Sequence, residues 1–107
     1  MDKTLKTQPF LLKDFIGYQE GSVVSREIVK EKTGTVTLFA FDQGQGLSEH
    51  KAPFDATIFC LDGQLEATVD GISMKVSEGE MLIMPAHKPH SIKAPAPFKM
   101  LLIMIRV

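Results

Sequence analysis

Two neighbouring segments of the chain carry an apolar residue at every second position. They are QLEATV, at positions 64–69, and ISMKVS, at positions 72–77. Successive side chains of a strand point to opposite faces, so a period of two is typical of a strand with one buried face. Both segments are therefore predicted to be half-buried strands.

Turn residues recur at a regular interval around these two strands. Asp62-Gly63, Asp70-Gly71 and Glu78-Gly79 follow one another every eight residues. An Asp-Gly pair readily adopts the positive φ values that a tight hairpin needs. Short strands between such turns are typical of an all-β sandwich or barrel.

Four further segments are predicted to be strands. SVVSREIVKE (22–31) and TVTLFAFD (35–42) are expected to pair about a turn at 32–34. EMLIMP (80–85) and FKMLLIMIRV (98–107) carry apolar residues on both faces. Such segments are predicted to be buried on both sides, either in the interior of the sandwich or at a subunit interface.

The chain length and the position of these strands predict one domain with a short extension. A chain of 107 residues fits a single domain. Residues 21–107 are predicted to form the β-barrel, and residues 1–20 an arm, an edge strand or a short helix, with a helical turn within Phe10–Tyr18. We also expect a homodimer, because the apolar C-terminal strand and the strand containing Val23 and Val24 would protect exposed sheet edges by pairing with a second subunit.

Composition excludes several classes of partner. Twelve basic and thirteen acidic residues give a net charge of −1, whereas a nucleic-acid-binding protein usually has a basic excess on one face. No apolar segment reaches the roughly 18 residues that span a bilayer, and the N-terminus lacks the apolar core of a signal peptide. Cys60 is the single cysteine, which fits a reducing compartment. A cytoplasmic protein that contacts neither nucleic acid nor membrane is predicted.

The three histidines are the candidates for chemistry. His50 precedes the apolar segment 57–61, and His87 and His90 lie in the proline-containing stretch MPAHKPH (84–90). His50 and His90 are both expected where the chain enters a strand. Two such imidazoles could converge at the mouth of a barrel, which is a common ligand site.

The segment from Gly44 to Gly63 resembles the first motif of the cupin superfamily, G-x5-H-x-H-x3,4-E-x6-G. Gly44, His50 and Gly63 occupy the motif positions. Ala52 stands where the motif has its second histidine, and Ala56 stands where it has glutamate.

The segment 79–94 is similar to the second cupin motif, G-x5-P-x-G-x2-H-x3-N. Gly79, Pro85 and His90 match, whereas His87 replaces the glycine and Ala94 the asparagine. The resemblance covers roughly residues 35–107. It implies a double-stranded β-helix, or jelly-roll barrel, that is often dimeric and holds a metal ion through three histidines and a glutamate.

The departures from the motifs change the expected metal site. His50 and His90 remain, and His87 is the best candidate for a third ligand. Imidazole ligands suit a divalent transition metal such as zinc, nickel, iron, manganese or copper, whereas magnesium and calcium prefer oxygen. A ligand pocket beside the histidines is predicted to be lined by Gln45, Phe54, Ile58, Cys60, Met84 and Met104.

Two functions are compatible with this sequence. In the first, a metal at His50 and His90 acts on a small organic molecule bound in the barrel, in a dioxygenase, isomerase or decarboxylase type of reaction. In the second, the barrel is a non-catalytic ligand-binding or sensing module with a relic metal site. Ala52 and Ala56 favour the second slightly, because both remove donor atoms and enlarge the cavity.

Overall fold

Two antiparallel sheets enclose the hydrophobic core of the protein. The computed structural model describes residues 6–106. Within this range the strands are β1 (Val23–Glu31), β2 (Gly34–Phe41), β3 (Gly46–His50), β4 (Ala56–Asp62), β5 (Gln64–Val69), β6 (Ile72–Ser77), β7 (Met81–Met84), β8 (His90–Lys93) and β9 (Phe98–Ile105). One sheet has the strand order β1-β2-β9-β4-β7 and the other β3-β8-β5-β6. The predicted all-β jelly-roll barrel is confirmed.

The core lies between the two sheets. Phe41 and Phe98 are neighbours on β2 and β9, and their rings stack with centroids 4.5 Å apart. Leu65 and Ala67, on β5 of the opposite sheet, belong to the same buried cluster. The apolar residues whose alternation predicted β5 are therefore those on the side of the strand that faces the other sheet.

The turns follow the predicted positions but not always the predicted role. Asp70 and Gly71 both have positive φ, and they form the hairpin between β5 and β6. Gly63 and Gly79 also have positive φ, but each lies where the chain passes from one sheet to the other. The regular spacing predicts a tight turn equally well in both cases, because the local backbone requirement is the same.

The C-terminal strand does not lie at a sheet edge, contrary to the sequence-based expectation. β9 forms hydrogen-bonded ladders with β2 on one side and with β4 on the other. Its backbone groups are satisfied within the chain, so it offers no edge for pairing with a second subunit. The edges of this sheet are β1 and β7.

The outer face of the five-stranded sheet is only partly covered. A 3-10 turn at Leu12–Asp14 and the side chains of Phe10 and Ile16 pack near Leu38 and Ala40. The Tyr18 hydroxyl donates a 2.6 Å hydrogen bond to Asp62 and so ties the N-terminal segment to the end of β4. Residues 1–5 of the predicted arm, and Val107, lie outside the described residues.

The rest of that outer face carries exposed apolar side chains. Met81 and Ile83 on β7 and Ile105 on β9 are each more than half exposed. β7 is thus not buried on both faces within one chain. Within residues 6–106, no helix has the length and apolar character needed to cross a membrane.

Candidate functional site

His50 and His90 are cross-strand partners in the ladder between β3 and β8. Two positions separate His90 from Ile92 on β8, but three separate His50 from Leu47 on β3, so the register contains a bulge. Side chains alternate between faces along a strand, and the extra residue restores His50 to the face that carries Leu47. The bulge is therefore what turns His50 towards the barrel interior.

The two imidazoles meet through their outer nitrogens. The Nε2 atoms are 3.0 Å apart, and the ring planes lie at 71° to each other. The Nδ1 atom of His50 lies 2.9 Å from the carbonyl oxygen of Ser48, and the Nδ1 atom of His90 lies 3.3 Å from that of Lys88. Each ring is thus held by the backbone of its own segment. His90 begins β8 as expected, but His50 ends β3, so the expectation that His50 lies where the chain enters a strand is wrong.

The contacts at Nδ1 are satisfied when that nitrogen carries the hydrogen, because a carbonyl oxygen only accepts. The separation of 3.0 Å between the Nε2 atoms is a hydrogen-bond distance, which one ring fills by donating a hydrogen and the other by accepting it. A histidine that donates from Nδ1 to a backbone carbonyl has the usual arrangement of a metal ligand.

The two histidines differ in exposure. His90 is buried, with 3% of its surface accessible, whereas His50 is exposed. Burial, and to a lesser extent the neighbouring His50, lower the pKa of His90, although the hydrogen bond to Lys88 opposes this. At neutral pH His90 is therefore held neutral, with its Nε2 lone pair available.

A cavity of about 210 Å³ extends from the histidine pair into the barrel. Besides the two imidazoles, its lining is entirely apolar and comes from both sheets: Leu47, Ala52, Ala56, Met84, Ile92, Met100, Leu102 and Met104. A water molecule occupies about 30 Å³ in the liquid, so the space exceeds what a single ion would fill. It suits a small organic molecule with few polar groups.

Both alanines that replace the expected ligands line this cavity. Ala56 has Met84 on β7 and Met104 on β9 as its Cα partners in the two adjacent ladders. The place where the motif resemblance implies a glutamate is therefore flanked on each side by a thioether.

His87 is not brought to the histidine pair. It is exposed, with a φ of 66°, and its backbone N–H donates to the carbonyl oxygen of Ala52. In the part of the chain that the structure describes, no three His, Cys, Asp or Glu side chains are grouped closely enough to hold a metal ion. The predicted third ligand is therefore absent from the pair in this conformation, and the contribution of His87 is to brace the entry loop through its backbone.

The predicted pocket residues divide into three groups. Met84 and Met104 line the cavity. Ile58 and Cys60 face inward farther along β4, where they are fully buried in the core, and burial raises the pKa of the Cys60 thiol. Phe54 instead borders a groove on the outer side of the barrel.

Gln45 also lies outside the cavity lining. Its backbone pairs with that of Ala94, which joins the loop before β3 to the segment after β8. Leu47, Ile92 and Leu102 line the cavity but were not predicted, and Met100 joins Met84 and Met104 in the lining. The continuous apolar run in β9 concealed which of its residues face inward, because both faces of that strand are apolar.

Comparison with known families agrees with the motif resemblance. A family model described as the cupin domain matches residues 37–105. The chain belongs to the cupin family. No curated protein matches this cupin in a sequence comparison.

Solved structures similar to this cupin span nearly its whole length. A conserved protein of unknown function from Streptococcus pyogenes is 31% identical, with a TM-score of 0.90, over 94% of this chain and 89% of the other. A cupin superfamily protein from Desulfitobacterium hafniense is 28% identical, also with a TM-score of 0.90, over 95% and 94%. A cupin 2 conserved barrel domain protein from Leptotrichia buccalis is 39% identical over 91% of this chain, with a TM-score of 0.87, but this chain spans only 47% of it.

The full metal-ligand set of the cupin motifs does not fit this chain. His50 and His90 supply two nitrogen ligands, and neither Ala52 nor Ala56 can supply another. Tight retention of a zinc-like ion usually requires three or more protein ligands. Each Nδ1 nevertheless lies near a backbone carbonyl oxygen, as is common for histidines that bind a metal.

Proposed function

We propose that this cupin binds a small, largely apolar organic molecule in the barrel cavity and holds its polar group at His50 and His90. The observation that carries the proposal is the apolar cavity that ends at two imidazoles whose Nε2 atoms lie 3.0 Å apart. Apolar lining provides binding free energy through burial, and the imidazole pair orients the molecule.

The test is a thermal-shift screen with pairs of small molecules that differ only in one polar group. Ligands should raise the unfolding temperature of the natural protein but not that of His90→Ala, while His87→Ala should respond like the natural protein. If no molecule in a broad panel gives a shift, or if His90→Ala responds equally, the barrel is not a ligand site of this kind.

A second function is favoured by the Nδ1 hydrogen bonds, which are those of metal ligands. In this alternative the pair holds a transition metal, and the metal polarises a carbonyl group or activates water or oxygen for a dioxygenase, isomerase or decarboxylase type of reaction.

Elemental analysis of protein purified without an affinity tag tests this second function. Metal should be present in near-stoichiometric amount and should be lost in both His50→Ala and His90→Ala. Substoichiometric metal that is unchanged in the two variants would refute metal-dependent catalysis.

We further propose that a second copy of the chain covers the exposed outer face of the five-stranded sheet. Thr57, Ile83 and Ile103 lie side by side in adjacent strands, and Ile105 continues the same face. They border an outer groove of about 520 Å³ together with Phe54. Exposed apolar patches of this kind usually mark protein–protein contacts.

A further inference from the structure

We propose that the metal preferred by the histidine pair is monovalent copper, Cu⁺, bound by His50 and His90 together with the thioethers of Met84 and Met104. This inference rests on the proposed transition-metal site and deepens it by assigning two further ligands and the class of ion.

The first observation is the position of the two methionines. Ala56 on β4 pairs with Met84 on one side and with Met104 on the other. All three side chains line the cavity that also contains both imidazoles. The motif resemblance implies a metal-binding carboxylate at position 56, so the thioethers flank the place where a ligand is missing.

The second observation is the softness of the donors that remain. The cavity lining contains two imidazoles and three thioethers, from Met84, Met100 and Met104, but no carboxylate, amide or hydroxyl group. Thioethers and thiolates select soft ions such as Cu⁺, whereas oxygen donors suit magnesium, calcium and manganese. Because Ala56 stands in place of the expected glutamate, the cavity has no oxygen donor from that position. The donors that remain are imidazole nitrogens and thioether sulfurs.

The third observation is charge. No anionic side chain lines the cavity, so a cation bound there would not be neutralised by a neighbouring carboxylate. The Born cost of transferring an ion into an apolar medium rises with the square of its charge, so a divalent ion costs about four times as much as a monovalent one. A neutral site with soft donors therefore favours Cu⁺ over Zn²⁺ or Ni²⁺.

The arrangement also provides a route for the ion. His50 is exposed and His90 is buried, so an ion that reaches His50 from solvent can pass inward to His90 and the methionines. Met84 is buried and Met104 is partly buried, and both line the same cavity as the pair. A proton at the pair is displaced when the metal binds, as for any histidine site.

The test is competition for Cu⁺ between the full-length protein and a chromogenic chelator, without oxygen and with a mild reductant. The variants are Met84→Leu, Met104→Leu and the double variant, because leucine keeps the size and apolar character of methionine. Met74→Leu is the matched control, since Met74 packs against the core from β6 but does not line the cavity. X-ray absorption at the copper edge then reports directly whether sulfur is bound.

We expect each cavity variant to weaken Cu⁺ binding by more than about tenfold, since even an outer-shell partner has an effect of that size. Met74→Leu should bind like the natural protein, and the absorption spectrum should show copper–sulfur scattering that disappears in the double variant. The organic ligands of the thermal-shift screen should still bind to the double variant, whose cavity remains apolar.

Other outcomes separate this inference from the proposed metal site. Zn²⁺ or Ni²⁺ bound more tightly than Cu⁺, with no effect of the leucine variants, would overturn the copper assignment and leave the divalent site standing. Absence of binding for Cu⁺, Zn²⁺ and Ni²⁺ alike would overturn both. Copper bound through nitrogen alone would overturn the role of the methionines.

Discussion

The Nε2 atoms of His50 and His90 lie 3.0 Å apart although the residues are 40 positions apart in the chain. Their pairing arises from antiparallel contact between β3 and β8 and from the bulge that follows Leu47. Backbone carbonyls of Ser48 and Lys88 hold the inner nitrogens. The result is a pair of imidazoles whose Nε2 atoms face each other across a hydrogen-bond distance.

The tautomers of the pair can be checked in solution. One ring of the pair should carry a hydrogen on Nε2, because the two Nε2 atoms are separated by a hydrogen-bond distance. Two-dimensional ¹H–¹⁵N spectra of the imidazoles, recorded above neutral pH, distinguish the two tautomers, and exposed His87 serves as the internal comparison. Absence of an Nε2–H signal from both His50 and His90 would contradict the geometry.

Ala52→His should strengthen the binding of a divalent ion. Ala52 lines the cavity beside the two imidazoles, and a third imidazole would complete the three protein ligands typical of an open zinc site. We expect Zn²⁺ affinity, measured by calorimetry, to rise at least about tenfold. Ala96→His, on an exposed loop, is the control; an equal gain there would show that the added histidine acts nonspecifically.

Acid should destabilise the fold through His90. Because burial lowers the pKa of His90, the unfolded chain binds more protons between the unfolded pKa of about 6.5 and the lower folded pKa. The free energy of unfolding should therefore decrease as the pH falls through that window and become level below it. Denaturant unfolding of the metal-free protein from about pH 8 to about pH 5 should show this loss. A loss of the same size in His90→Gln would assign it to another group.

Gly46→Ala should destabilise the protein and displace the site. A Cβ atom at Gly46 would lie 2.3 Å from the carbonyl oxygen of Ile92, so β3 and β8 would have to separate. We expect a loss of about 1–3 kcal/mol in the free energy of unfolding, the usual cost of overpacking. Gly17→Ala is the matched control, because a Cβ there meets nothing within 4 Å. Equal stability of the two variants would refute the close packing of β3 on β8.

A charge on the outer sheet face should dissociate the proposed dimer. Ile83 on β7 is 57% exposed in a single chain and lies in the apolar groove. Light scattering coupled to size-exclusion chromatography should give a dimer mass for the natural protein and a monomer mass for Ile83→Lys. Ile72→Lys is the control, because Ile72 is 66% exposed on the opposite sheet. A dimer that survives Ile83→Lys would place the interface elsewhere.

Local patterns were sufficient to predict most strands. The alternation in β5 and β6 and the Asp70-Gly71 turn all reflect requirements of neighbouring residues, which a sequence displays directly. β3 was missed, because GLSEH has neither an apolar run nor a simple alternation. Its strand state depends on pairing with β8, which is distant in the chain.

The candidate site was indicated by the sequence, but its geometry was not. The motif spacing pointed to His50 and His90 and showed that position 56 lacks a donor. It also favoured His87, which is exposed and is not grouped with the pair among the described residues. Met84 and Met104 were expected near the pocket, but their position on both sides of Ala56 is a property of the sheet register.

The sequence by itself determined the all-β class and the turn positions and pointed to the two histidines of the candidate site, because these depend on residue type and on spacing along the chain. Tertiary structure decided which face of β9 lines the cavity, that β9 is an interior strand, and that the Nε2 atoms of the two histidines lie 3.0 Å apart. The physical reason is that strand register and bulges bring together residues that are far apart in the chain. A shift of the pairing by one residue would turn every side chain of the strand to the opposite face of the sheet. In this protein a single extra residue in β3 places His50 beside His90.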